Sequence, residues 1–279
     1  MSGFAYITGG ASGIGRGVAQ MLVKHNIKVF IADRDIEGAQ KLVDELNKDS
    51  QVASCAHVDV ANWNSQVKAF SQAVADFGRI DYVYPIAGIG ERVSIPNDPS
   101  ATGFEMPDLT VLEVDLTGVL YTVSLAVQQF RRQQPGKNGL RGQIGCVASV
   151  CGFYCCPTLP IYTAAKHAVV GLVRSYGKYL PEEKISMNAI CPNVIRTNIS
   201  TGAFYDTLEK ENLLAPIEGV INTFEKLLDE QTSGEIFEIS PNYKDQGAVV
   251  RKAPEYLDKE SERTFELLYQ RGRPLHQPR

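Results

Sequence analysis

The segment Thr8-Gly9-Gly10-Ala11-Ser12-Gly13-Ile14-Gly15 constrains this chain more than any other, because of what stands on either side of it. The apolar run Phe4–Thr8 precedes it and an amphipathic stretch, Ile14–His25, follows, so it reads as a turn between strand and helix. Glycines permit a tight turn and a close backbone approach, and a helix N-terminus offers unpaired N–H groups to a pyrophosphate. A bare flexible loop would show the glycines without those flanking elements. Gly9, Ser12, Gly13, Ile14 and Gly15 are therefore the candidate phosphate contacts of a dinucleotide site.

The alternation that starts here continues through most of the sequence. Strands are expected at Phe4–Thr8, Lys28–Ala32, Ala53–Val58, Asp81–Pro85, Gln143–Ser149, Ser186–Cys191 and Glu235–Ile239. Helical patterns occupy Ile14–His25, Glu37–Asn47, Asn64–Phe77, Val111–Gln133 and Ala164–Tyr179. Each crossover must return to the same edge, which forces parallel strands with helices on both faces. The expected class is α/β: one doubly wound parallel sheet of about seven strands over residues 1–240. Residues 241–279 form a C-terminal extension with a helical stretch at about Lys259–Gln270 and a basic, proline-containing end. Ser94–Pro107 and Gln134–Gly142 read as insertion loops.

Charge and composition narrow the partners. A net charge of −4 disfavours nucleic acid and anionic membrane, leaving a small neutral or apolar molecule as the better substrate. The glycine motif begins by residue 8, so a secretory leader is not expected, nor does an apolar run reach the roughly 18 residues of a membrane span. The expected compartment is the cytosol. Cys55, Cys146, Cys151, Cys155, Cys156 and Cys191 read as free thiols, with a reactive thiol among the clustered Cys151, Cys155 and Cys156 as the alternative. The four histidines show no ligand spacing, and no metal site is expected.

Asp33 ends the second strand, where a carboxylate can accept bonds from both adenosine ribose hydroxyls and repel a 2′-phosphate. That favours NAD, while the adjacent Arg34 could engage a phosphate and keeps NADP open. Asp59-Val60 closes the third strand; Asp59 reads equally as an adenine contact and as a turn or cap residue.

Tyr162 and Lys166 stand at i and i+4, on one face of a helix, and Ser149 ends the strand before them. The three can converge where ligands bind in open α/β sheets. Oxidising a carbinol requires a proton to leave its oxygen, and a free tyrosine with a pKa of about 10 is a poor base. A lysine ammonium beside it stabilises the phenolate, and a serine hydroxyl can hold the substrate oxygen.

With the glycine turn, these residues resemble the short-chain dehydrogenase/reductase family over about residues 4–240, which implies a Rossmann-type fold and an NAD(P)-dependent oxidoreductase. The resemblance implies Tyr162 as acid/base, Lys166 as its activator and Ser149 as donor to the substrate oxygen. It further implies cofactor contacts from Ala87 and Gly88, from the backbone near Val194 and Ile195, and from Thr197. Three departures stand out: Ile86 for the family's Asn, Asn193 for its Gly, and Asp115 for the Asn that supports a proton relay to the lysine. A carboxylate at 115 is expected to hold Lys166 cationic while offsetting its field at Tyr162.

In this family the substrate lies between the segment after the catalytic serine and a lid after the sixth strand. Here these are Gly152–Pro157 and Asn198–Ala215, the lid being about 198–215 with Phe204 and Tyr205. Their apolar, aromatic content suits a bulky lipophilic alcohol or ketone. The chain is also similar to the hydroxyprostaglandin-dehydrogenase-like subgroup found in secondary metabolism. A homodimer or homotetramer is implied through the helices at Val111–Gln133 and Tyr162–Lys178. Two rivals remain at this level: a non-redox cyclase or isomerase on the same scaffold, and a dinucleotide-sensing binding protein.

Overall fold

A computed structural model describes residues 3–91, 95–96, 98–136 and 138–276; Ser94, within one expected insertion loop, and residues 277–279 of the basic end lie outside these. Along the chain run β1 (Gly3–Thr8), α1 (Gly13–Lys24), β2 (Ile27–Asp33), α2 (Ile36–Leu46), β3 (Ala53–His57), α3 (Trp63–Phe77) and β4 (Tyr82–Pro85). There follow α4 (Thr110–Leu112), α5 (Gly118–Arg131), β5 (Gly142–Val147), α6 (Pro160–Tyr179), β6 (Ile185–Pro192), α7 (Gly202–Lys210) and α8 (Ile217–Leu227). β7 (Ile236–Ile239), α9 (Tyr243–Gln246), β8 (Val249–Val250) and α10 (Lys259–His276) complete it.

The strands form one sheet in the order β3-β2-β1-β4-β5-β6-β7-β8. β1 to β7 are parallel, as the alternation requires, and β8 adds to β7 antiparallel. Strand order reverses between β1 and β4, which opens a crevice at their C-terminal ends. Successive side chains point to opposite faces, so neighbours on β1 serve different cores. Tyr6 joins Phe30, Phe70, Val123, Phe130 and Val173 under α3, α5 and α6. Ile7 joins Ile31, Leu22, Leu42, Val220 and Phe224 under α1, α2 and α8.

Local chemistry sets several element ends. Asp35 accepts from Gly38 N at 2.9 Å to start α2, and Asn62 accepts from Ser65 N at 2.9 Å to start α3. α3 stops at Gly78, whose φ of 75° suits a residue without Cβ. Between α4 and α5 the residues Glu113–Thr117 take a π turn, so Thr110–Arg131 is one continuous helix. Such single-turn insertions shift side-chain phase, and here the turn carries the fully buried Asp115.

The structure departs from the sequence expectation in four places. α6 begins at Pro160, four residues before the expected Ala164, with proline favoured in a first turn because its missing N–H is unneeded there. α7 lies within the stretch expected only as a lid, and α8, just beyond that stretch, falls where no helix was expected; Val220, Phe224 and Leu227 give α8 the period of a helix packed on a sheet. β8 is too short for an alternation signal, yet it makes the sheet eight-stranded and ties residues 249–250 to it. Finally, Thr110–Arg131 does have the length and apolar content of a span, at 22 residues and a hydropathy of 1.5, against the expectation of no such run. Its Val119, Val123, Ala126, Val127 and Phe130 are buried in the protein core.

Candidate active site

The glycine turn is built so tightly that side chains are excluded. Gly9 has φ 71° and Gly13 has φ 50°, both in the left-handed region. A Cβ on Gly15 would stand 2.1 Å from the Gly9 carbonyl oxygen, and one on Gly9 would stand 2.6 Å from the Ala87 backbone. Ser12 stands at the N-cap of α1 without a side-chain capping bond, and no acidic residue occupies the first turn. The N–H groups and positive end of α1 are thereby left for an anion, so this cradle fits a dinucleotide pyrophosphate. Ile14 is half-buried behind the turn, against the core face of α1.

Asp33 binds the turn from the end of β2. Its Oδ2 accepts from Ala11 N at 2.9 Å and its Oδ1 from Asp35 N at 2.9 Å. Arg34 next to it is exposed. Asp59 is exposed and accepts from Ala61 N at 3.0 Å, a turn-forming bond, whereas Val60 is buried against Gly118. Opposite, Thr197 comes within contact of Gly13, where a Cβ would meet its methyl at 3.3 Å. Ile195 is buried, and Val194 N donates to the Asn193 side chain at 2.9 Å. Asn193 thus braces the backbone with its own side chain where the family has a glycine.

The second group of residues lies beyond Ala87. Gly88 faces the Asp115 carboxylate, which a Cβ would approach to 3.1 Å. Asp115 Oδ1 accepts from Ile89 N at 2.8 Å, and its Oδ2 lies 2.9 Å from Lys166 Nζ. Both partners of that ion pair are inside the protein, at 0% and 4% exposure. Lys166 Nζ lies 5.3 Å from the Tyr162 ring centroid, and the Ser149 hydroxyl is near enough to the Tyr162 phenol to lower its pKa. Ser149 also accepts from Cys151 N at 3.1 Å, capping a short helical turn two residues past the end of β5. The structure therefore brings Ser149, Tyr162, Lys166 and Asp115 together, next to the glycine cradle.

Electrostatics in this cluster run in opposing directions. Burial disfavours the Lys166 charge, but Asp115 and Tyr162 favour it, and its pKa ends above the ordinary lysine value. Burial pushes the Tyr162 phenol up, Lys166 pulls it down, Asp115 pushes it up again, and Ser149 pulls it down; the upward causes prevail. Burial also pushes the Cys146 and Cys191 thiols up to about 12, and raises Cys151, so these behave as packing residues. Cys155 is exposed, and all six cysteines are free.

Two features escaped the sequence reading. Glu91 Oε2 accepts from Tyr162 N at 2.7 Å, across a separation no local pattern marks. Arg251 of the C-terminal segment sits over the Phe153 and Tyr154 rings at 5.0 and 5.6 Å and lies 3.5 Å from Glu238. Of the two aromatics in the segment expected to form a lid, Tyr205 is buried and accepts from Ser200 N at 3.1 Å, whereas Phe204 is exposed.

Residues 4–208 match the family described as short chain dehydrogenase. The chain is 30% identical over 202 residues to short-chain dehydrogenase/reductase prx7 of Penicillium rubens, covering 70% of this chain and 69% of that protein. It is 33% identical over 201 residues to 3beta-hydroxysteroid dehydrogenase 2 of Eggerthella lenta, covering 71% and 73%. A 3-ketoacyl-(acyl-carrier-protein) reductase structure from Brucella melitensis, complexed with NADH, superposes with a TM-score of 0.72 at 24% identity, over 86% of this chain and 97% of that one. The chain belongs to the short-chain dehydrogenase family, and is an NAD(P)-dependent oxidoreductase acting on CH–OH or C=O groups of small molecules.

Proposed function

We propose that the protein interconverts a secondary alcohol and a ketone on a bulky lipophilic molecule, with NAD(H) as the preferred dinucleotide. The observation that carries this reading is the convergence of Ser149, Tyr162 and Lys166 beside the Gly9–Gly15 cradle. Gly9, Gly13 and Gly15 would admit the pyrophosphate, Asp33 the adenosine ribose, and Thr197, with Ile195, the nicotinamide end. The bound nicotinamide supplies the hydride acceptor or donor. Ser149 holds the substrate oxygen and Tyr162 takes its proton in oxidation, or returns it in reduction. Lys166 keeps the phenolate accessible despite burial, and can hold a ribose hydroxyl. The Asp33 carboxylate supports NAD over NADP by charge; the exposed Arg34 works the other way.

The lipophilic substrate class is supported by the exposed Tyr154, in the segment after Ser149, by the exposed Ile199, Phe204 and Leu213 of segment 198–215, and by the likeness to a hydroxysteroid dehydrogenase. We assign the segment 198–215 as the lid over the site. The finer resemblance to hydroxyprostaglandin-dehydrogenase-like enzymes of secondary metabolism belongs to the same proposal. So do a cytosolic location, for which the six free thiols speak, and a homodimer or homotetramer through the outer faces of α5 and α6, where Leu120 is exposed.

The test is NADH and NADPH oxidation, followed by absorbance, with trans-1-decalone, camphor and a 3-ketosteroid as probes. Turnover at least about tenfold better with NADH, and a loss of roughly 10²–10⁴-fold in Tyr162→Phe, is the expected result. Product formation without net cofactor change would favour a cyclase or isomerase, and binding without any turnover would favour a dinucleotide sensor.

A further inference from the structure

The helix that carries Tyr162 and Lys166 lacks a cap of its own. Its N-cap is Leu159, whose side chain accepts nothing, and its first residue is Pro160, which has no N–H. Tyr162 is the third helical residue, and its N–H is the donor that an N-cap Ser, Thr, Asp or Asn side chain would ordinarily take. Glu91 takes it instead, through Oε2 at 2.7 Å, from the segment that follows β4. The other oxygen of that carboxylate, Oε1, is buried without a hydrogen-bond partner, so the side chain is not held there by solvent.

The same short segment is fixed at two further points. Ile89 N donates to Asp115, the partner of Lys166, and Gly90 packs against Ile199, which a Cβ would approach to 3.0 Å. Thus Asp115 and Glu91, both joined to residues 88–91, grip the catalytic helix at Lys166 and at Tyr162 respectively.

We propose that Glu91 is a positioning residue, standing in for the missing N-cap of α6 and so fixing the Tyr162 phenol against the Ser149 hydroxyl. This rests on the reading of Tyr162 as acid/base. The effect acts through the backbone of Tyr162, so it should lower turnover and leave dinucleotide affinity alone. An amide at 91 keeps an oxygen acceptor of the same reach, whereas alanine removes it and aspartate shortens it.

Three variants of the full chain, Glu91→Ala, Glu91→Asp and Glu91→Gln, test the proposal by hydrogen exchange and by kinetics. In Glu91→Ala, and in Glu91→Asp should alanine not fold, the Tyr162 amide should exchange about tenfold faster. With trans-1-decalone, kcat should fall by about tenfold while KM and the NADH Kd change by less than about twofold. Glu91→Gln should restore both protection and kcat. Unchanged Tyr162 exchange in the alanine and aspartate variants overturns the proposal, whatever the activity. Faster exchange with unchanged kcat overturns it too, as does a glutamine variant that behaves like alanine. A wild-type protein inactive on every ketone probe would instead sink the functional reading, and the exchange arm would still judge the cap.

Discussion

Asp115 is the residue at which sequence and chemistry pull hardest against each other. A carboxylate with no exposed surface, 2.9 Å from a buried ammonium, holds that ammonium charged. The same negative charge raises the Tyr162 phenol, which must lose its proton before it can act as a base. Alcohol oxidation should therefore strengthen with rising pH, because the group whose pKa is raised is deprotonated only on the alkaline side. Asp115→Asn removes the field but leaves an oxygen to accept from Ile89 N. The acid limb of its pH–rate profile for alcohol oxidation should move to lower pH. Turnover near neutrality should rise about three- to tenfold, which corresponds to roughly 0.6–1.4 kcal/mol of phenolate stabilisation. A profile identical to that of the parent protein would show that Asp115 does not act on Tyr162. The trio was legible in the sequence because helical spacing places Tyr162 and Lys166 on one face and a strand end presents Ser149. Glu91 was not legible, since a side-chain bond to a backbone amide 71 residues away leaves no periodicity or motif.

At the scale of elements, the β1–α1 turn depends on an absent side chain more than on any contact. The space a Cβ would need at Gly15 is already filled by the Gly9 carbonyl, which is backbone and has nowhere to rotate. Gly15→Ala should push α1 away from the turn, costing about 1–3 kcal/mol as other overpacked sites do. Dinucleotide affinity, read by quenching of intrinsic fluorescence, should drop by more than about tenfold while the far-ultraviolet circular dichroism of the sheet and helices persists. Wild-type affinity in this variant would separate the turn from the cofactor. The seven parallel strands were visible in the sequence because each is a short apolar run between amphipathic helices. The π turn at Glu113–Thr117 was not, because a one-residue shift of phase inside a helix leaves the apolar pattern nearly intact. α8 was not among the expected helices, although the apolar period of Val220, Phe224 and Leu227 marks it.

Over the whole molecule, the segment beyond β7 divides into two parts that the sequence treats alike. β8 pairs with β7, Arg174 of α6 donates to the carbonyl oxygens of Arg251 and Lys252 at 3.2 and 3.0 Å, and the Arg251 guanidinium covers Phe153 and Tyr154. Tyr154 OH in turn donates to Glu238, which is buried, at 3.3 Å. The loop joining Ser149 to Tyr162 is thereby held from the C-terminal side by packing, cation–π contact and hydrogen bonds together. α10, by contrast, buries none of its residues and is tied by Arg273 and Tyr269 to Glu182 and by Arg131 to the His276 carbonyl. Exposed ion pairs of that kind are worth about 0–1 kcal/mol each. Deleting residues 258–279 should therefore lower Tm by no more than about 4 °C and leave ketone KM within about twofold, taking roughly 2–4 °C per kcal/mol for a chain of this size. Deleting residues 249–279 removes the β7 pairing and bares the Phe153–Tyr154 rings, so Tm should fall by more than about 5 °C and KM should rise several-fold. Equal losses from the two deletions, measured by thermal unfolding and steady-state kinetics, would show that Arg251 does not support the loop; the wall of the site would then stand on the sheet alone.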